Sequence, residues 1–265
     1  MRFVSLESGS SGNCTYIGTR DTHILVDAGI SCRKIDRGLE SLDLKTSELS
    51  AILVTHEHSD HIAGLKTVSK KYHIPIYSAR ETLQAIHRLD AKGEIDPSLF
   101  HEVIPDQVNL IGDLRITPFH ISHDAANPLG YRCTDGKTNA AVCTDLGSWS
   151  EYTLRWLRDL DVVLLESNHD VRMLESGPYP YPLKRRIMGV RGHLSNEDSG
   201  QLLCEILNDR MKHVFLGHLS EINNFPGLAS ETVRDEIDES PVPYHSDDFP
   251  ITVAPRSGMS EVVDL

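Results

Sequence analysis

Ile52-Leu53-Val54-Thr55-His56-Glu57-His58-Ser59-Asp60-His61 decides how the rest of this chain is read. Ile52 to Thr55 is a short apolar and β-branched run that predicts a buried strand. Ile62, Leu65 and Val68 then recur at helical spacing, with Ser59 expected as the N-cap. His56, His58, Asp60 and His61 therefore occupy a strand-to-helix turn, where side chains can converge on one point. Neutral imidazole and ionised carboxylate are the donors that a borderline metal such as zinc prefers. Three imidazoles and a carboxylate within six positions are too dense for unrelated polar residues.

Outward from this turn, the same pattern of an apolar strand followed by a ligand-type residue recurs. Phe119-His120-Ile121-Ser122-His123-Asp124 offers two imidazoles, and Val142-Cys143-Thr144-Asp145 a carboxylate. Leu164-Leu165-Glu166-Ser167-Asn168-His169-Asp170 offers two carboxylates and an imidazole, and Val214-Phe215-Leu216-Gly217-His218 another imidazole. Gly192-His193-Leu194-Ser195 adds one more at a helix start. Active sites collect at strand ends because the sheet is rigid while the loops vary. Several such ends beside the dense cluster predict one shared polynuclear site. Upstream, Glu7 to Asn13 is a Gly/Ser-rich turn, read either as a hairpin loop or as a loop whose free N–H groups line the site mouth. It lacks the lysine of a phosphate loop, which excludes a Walker motif. Asp27, ending the run His23 to Gly29, reads equally as a brace for the His56 turn or as a turn cap.

Composition sets the class. The 265 residues are 39% hydrophobic and 25% charged, as expected for a soluble protein with a real core. No run approaches bilayer-spanning length, and no N-terminal apolar stretch resembles a signal peptide, so no membrane partner is expected. Cys14, Cys32, Cys133, Cys143 and Cys204 are odd in number and contain no C-x-x-C pair, which predicts reduced thiols and a cytoplasmic protein. The net charge of −13 argues against nonspecific nucleic-acid binding, although divalent ions in one cleft would still attract a phosphate there. Lys184, Arg185, Arg186 and Arg191 form a basic cluster between Glu166 and His193, read either as a solvated loop or as a contact to a nucleic-acid backbone.

Along the chain, strands are expected at Met1–Leu6, Cys14–Ile17, Ile74–Ser78, His101–Leu110, Leu114–Ile121, Gly130–Thr134, Asn139–Thr144, Val162–Leu165, His213–Leu216 and Ile251–Ala254. Helices are expected at Ile35–Leu44, Arg80–Lys92, Tyr152–Leu160, Ser195–Leu207 and Ser230–Ile237, the fourth opened by a Ser195/Asp198 capping box. Gly177–Pro182 reads as a loop. With no linker or internal repeat, the order predicts one domain over 1–265, built as two sheets with helices outside.

Thr55-His56-Glu57-His58-Ser59-Asp60-His61 resembles the H-x-H-x-D-H signature of the metallo-β-lactamase superfamily. Across most of the chain, and at Glu7–Asn13, Ser122–Ala125, Glu166–Asp170, Gly192–Asn196 and Gly217–Ser220, it is similar to the YycJ/WalJ group of bacterial proteins. The resemblance implies an α/β fold, a four-layer αβ/βα sandwich, with two divalent ions between the sheets. His56, His58 and His123 would hold one ion, with His120 as the alternative to His123. Asp60, His61 and His218 would hold the other, and Asp145 would bridge them. Zinc is the expected metal, and manganese tolerates the same shell. A hydroxide shared by the ions, oriented by Asp60, would hydrolyse a phosphodiester. Glu166 and His193 are similar to a Glu/His pair of the tRNA 3′-processing endonucleases, with His193 donating to the leaving oxygen or holding a phosphate. Ser10, Asn13, Arg186 and His193 are the expected substrate contacts.

The implied activity is a 5′→3′ exonuclease on double-stranded DNA. The alternative within the superfamily is a hydrolase of small or cyclic phosphodiesters, which the acidic composition favours. A redox di-iron protein is disfavoured, because that branch carries Glu where this chain has His58. A metal-stabilised scaffold without catalysis is the remaining class.

Overall fold

A computed structural model describes residues 1–265. Two seven-stranded sheets face each other. The first contains β1 (Arg2–Glu7), β2 (Cys14–Gly18), β3 (His23–Val26), β4 (Ala51–Leu53), β5 (Ile76–Ser78) and β6 (Phe100–Glu102) in chain order, with β14 (Val263–Asp264) outside β1. The second runs from β7 (Asn109–Ile111) through β8 (Leu114–His120), β9 (Leu129–Thr134), β10 (Asn139–Cys143), β11 (Val162–Glu166) and β12 (His213–Gly217) to β13 (Ile251–Val253). In each sheet one half is antiparallel and the other parallel, the switch falling at β3/β4 and at β10/β11.

The apolar runs are continuous because these strands are buried on both faces. In β11, Val162 and Leu164 enter the core between the sheets, while Val163 and Leu165 face the helices. In β4, Ala51 and Leu53 point inward between the sheets and Ile52 outward. Stacked Phe3 and Phe215, 5.7 Å apart, join the sheets between β1 and β12. Helices α1 (Cys32–Glu40), α2 (Ser59–Ile62), α3 (Leu65–Tyr72) and α4 (Arg80–Leu89) belong to the first half. Helices α5 (Glu151–Leu157), α6 (Val171–Ser176), α7 (Tyr181–Ile187), α8 (Asn196–Ile206) and α9 (Pro226–Glu239) belong to the second. Three apolar cores, one between the sheets and one between each sheet and its helices, make the four-layer sandwich. No helix is long and apolar enough to cross a membrane.

Four local expectations are corrected. The helical periodicity of Ile62, Leu65 and Val68 belongs to two helices broken at Gly64, whose N–H donates to the Ala28 carbonyl and where a Cβ would lie 1.9 Å from the Ile30 carbonyl. His58, extended at ψ 149°, holds the N-cap position in place of Ser59, without a side-chain cap. The stretch from His101 to Leu110 is not one strand. β6 ends in the first sheet and β7 starts in the second, and the chain crosses between them through Pro105 and a left-handed Asp106 (φ 67°). The expected loop Gly177–Pro182 gives way to α7 at Tyr181, with proline in its first turn. The Ser195/Asp198 capping box opens α8 as expected, with Ser195 Oγ accepting from the Asp198 N–H at 3.0 Å.

Candidate metal centre

Strand ends from both sheets meet at one edge of the sandwich. Asp27 after β3, Asp145 after β10 and His218 after β12 all take left-handed backbone (φ 62°, 59° and 57°). Such conformations are costly for non-glycine residues and cluster at functional sites. The tight turns they make keep the three side chains at the sheet edge. Gly29 lets the adjoining backbone close in: a Cβ there would lie 1.7 Å from the Asp60 carbonyl.

Around this edge the ring nitrogens and carboxylates converge. His56 Nε2 and His123 Nε2 lie 3.0 and 3.3 Å from His58 Nδ1. His61 Nε2 lies 3.2 Å from Asp145 Oδ2 and 3.4 Å from Asp60 Oδ2. His218 Nε2 lies 3.3 Å from Asp60 Oδ2 and 3.5 Å from Asp145 Oδ1. His56, His61, His123, Asp145 and His218 are buried, whereas His58 and Asp60 reach the cleft surface.

Tautomers follow from the outer partners. His61 Nδ1 donates to Asp27 Oδ2 at 2.7 Å, His218 Nδ1 to Glu166 Oε1 at 2.8 Å and His123 Nδ1 to the Gly192 carbonyl at 3.0 Å. Each acceptor fixes the proton on Nδ1 and turns an Nε2 lone pair inward. Those Nε2 atoms face one another and face carboxylates, an arrangement met by a shared cation or, without one, by protons on His61 and His218. Asp145 Oδ2 is buried and has no hydrogen-bond partner of acceptable geometry. The donor set, nitrogen and carboxylate oxygen without sulfur, fits a divalent transition metal.

The electrostatics divide the histidines. Burial lowers the pKa of His56 and His123, keeping them in the neutral form that ligates. Burial works the same way on His61 and His218, but carboxylates overrule it. Asp145 and Asp27 hold His61 well above the usual imidazole range, and Asp145, Asp60 and Glu166 push His218 up to about 10. For Asp60, burial is outweighed by hydrogen bonds from His218 and His61, which hold the carboxyl well below its usual range.

Asp27 resolves as a brace. Its Oδ1 accepts from the Thr55 N–H at 2.8 Å while Oδ2 holds His61. Asn13 lies 3.2 Å from His61 Nε2 and 3.4 Å from Asp60 Oδ2, so it packs beneath the cluster, while Ser10 is exposed at its mouth. Glu166 is fully buried. It accepts from His193 Nδ1 and His218 Nδ1, both at 2.8 Å, and from the Leu146 and Leu194 N–H groups. Burial raises its pKa, but His193 and His218 outweigh this and hold it at about 2. That Glu166 joins His193 to His218 had no counterpart in the sequence pattern, where the three are 27 and 52 residues apart.

The remaining residues divide. His120 is exposed on β8 beside Tyr152 and outside the cluster. Asp170 caps α6 through the Met173 N–H. His169 is buried behind His193, its Nδ1 unpartnered and its pKa lowered by burial to about 4. The basic cluster is largely spent on the protein itself. Arg186 pairs bidentately with Asp124, Arg191 donates to the His123 carbonyl and Lys184 to the Glu175 carbonyl. Arg186 still lines the cleft, a cavity of about 210 Å³ shared with Ser10, Asn168, Tyr179, His193 and Ser220.

The Beta-lactamase superfamily domain matches residues 22–215. An exodeoxyribonuclease YycJ of Bacillus anthracis is 37% identical over 90% of this chain and 90% of its own length. An exodeoxyribonuclease WalJ of Streptococcus pneumoniae is 39% identical over 89% of this chain and 88% of its own. The crystal structure of Zn²⁺-bound PqqB from Methylobacterium extorquens superposes over the full length of both chains with a TM-score of 0.71 at 15% identity, a likeness of fold alone.

Proposed function

Because the chain belongs to the β-lactamase superfamily, we propose that residues 1–265 act as one catalytic domain, a divalent-metal-dependent exonuclease degrading double-stranded DNA in the 5′→3′ direction. The observation that carries this reading is the convergence of inward lone pairs and carboxylates on Asp145, with the Glu166–His193 pair on its rim. His56, His58 and His123 would hold one ion, Asp60, His61 and His218 a second, and Asp145 would bridge them. Zinc suits these donors and manganese accepts them. Bound there, the ions would lower the pKa of water toward neutrality and neutralise charge on the phosphoryl oxygens.

The chain's own groups supply the rest. Asp60 Oδ2, kept ionised by its histidine neighbours, accepts a proton-side hydrogen bond from the attacking water and aims it. His193 has its Nδ1 pinned by Glu166, so Nε2 is the nitrogen left to donate to the departing oxygen or to hold a phosphate. Ser10 reaches the substrate at the cleft mouth. Arg186 uses Nε and Nη2 on Asp124 and keeps Nη1 for a backbone phosphate. The relatives' names, DNA as substrate and five free cysteines suit the cytoplasm.

The test uses wild-type protein loaded with zinc or manganese, on duplexes labelled at either end and on bis(p-nitrophenyl) phosphate. Stepwise release of nucleotides from the 5′ end is expected. Release from the 3′ end overturns the polarity, and hydrolysis of the small ester alone favours the small-phosphodiester alternative. His193→Ala is expected to lower kcat on DNA by about 10²–10³-fold at equal metal content. An unchanged rate removes His193 from the chemistry.

A further inference from the structure

Beside the cluster lies a second cavity. Ile62, Ala63, Leu65, Ile86, Leu89 and Ile95 line a groove of about 750 Å³ between α2–α3 and the end of α4. Its lining is aliphatic, and Leu89 on its wall is 64% exposed. The groove and the catalytic cleft share one wall residue, His58, so the two adjoin. The charges that line the groove balance, Lys66 and Lys92 against Glu57 and Asp90. Lys92, at the rim, has no ion pair, while Lys66 and Lys70 share Glu94. Glu57, lining the end nearest His58, has one oxygen on the Ala126 N–H and the other buried without a partner.

A mostly aliphatic slot that adjoins the cleft, with the unpaired Lys92 at its rim, suits an occupant that is flat, apolar on its faces, polar on its edge and joined to phosphates. We propose that this groove seats the unpaired base and sugar of the nucleotide adjoining the scissile phosphodiester. The inference rests on the nuclease reading above and specifies how a duplex end is handled. Asp145 is 2% exposed at the bottom of a cleft of about 210 Å³. A B-form duplex, whose major groove alone is about 12 Å wide, does not enter such a space paired. The end has to open, at a cost of a few kcal/mol per unstacked base. Aliphatic burial of the freed base offsets that cost without reading its identity. Lys92 is placed for a flanking phosphate.

Leu89→Gln is the test variant, because the position is exposed and glutamine keeps helix propensity. Its kcat/KM is measured on duplexes carrying one abasic residue at the first, second or third nucleotide of the cleaved strand. On an intact duplex Leu89→Gln is expected to lose about tenfold, through KM, and Leu89→Met to recover most of it. At one abasic position wild type should fall by the same factor, with no further loss in Leu89→Gln, as coupled partners require. Equal losses on intact and abasic strands, or no loss at all, overturn the proposal. So does a changed sedimentation coefficient in Leu89→Gln, which would assign the groove to a second copy. Wild type that cleaves bis(p-nitrophenyl) phosphate but no DNA sinks the nuclease reading itself, a result distinct from either.

Discussion

Asp145→Ala is expected to lower phosphodiester hydrolysis by at least about 10⁴-fold and to reduce bound metal by one equivalent or more. Asp145 is the carboxylate both halves of the cluster share. Its oxygens lie 3.2 Å from His61 Nε2, 3.5 Å from His218 Nε2 and 3.7 Å from both His123 Nε2 and His193 Nδ1. Alanine removes the carboxylate common to both halves, leaving Asp60 as the only negative charge between His61 and His218. The fold should survive, because Asp145 sits at a strand end and the three apolar cores do not depend on it. Metal content by plasma mass spectrometry, read with activity on duplex DNA and with circular dichroism, checks the outcome. Full metal occupancy with near-normal activity would show that Asp145 does not bridge the ions.

Glu166→Gln is expected to cost both activity and stability. Glu166 accepts four hydrogen bonds, two from imidazole nitrogens and two from backbone N–H groups, in a fully buried position. Glutamine offers one carbonyl oxygen and turns an NH₂ toward donors, so at least two bonds are lost and donor faces donor. Held at about 2, the native carboxyl is charged at any working pH, and the substitution removes a real charge from beside two histidines. Breaking such a buried arrangement costs about 3–5 kcal/mol, roughly 10 °C in Tm for a chain of this size. With the tautomers of His193 and His218 released together, kcat should fall about 10³-fold. His193→Ala should lose activity without the same loss of Tm, because its ring lies at the cleft surface. Comparable melting of the two variants would assign Glu166 a packing role only.

The contrast between these two carboxylates shows what was legible in the chain. Asp145 could be singled out because it ends an apolar strand in a sequence already marked by the His56–His61 turn. Glu166 was equally visible, but its bond to His218 was not, since nothing in the spacing tells which strand ends become neighbours. For the same reason Asp27 read equally as brace or cap until the Thr55 N–H and His61 were seen to fill its two oxygens. Arg186 stood out as a free cation in an acidic chain, and its bidentate pairing with Asp124, 62 residues away, was hidden.

By itself the sequence determined the layers and the chemistry. Continuous apolar strands such as Val162–Leu165 require burial on both faces, and the density of imidazole and carboxylate at strand ends requires a cation. These are properties of residue type and period, which act locally. Tertiary structure alone decided which nitrogen of each histidine faces inward, where the helix after the motif breaks at Gly64, and that His58 borders two cavities rather than one. Those outcomes depend on backbone carbonyls and side chains brought close from distant parts of the chain, contacts that no periodicity encodes.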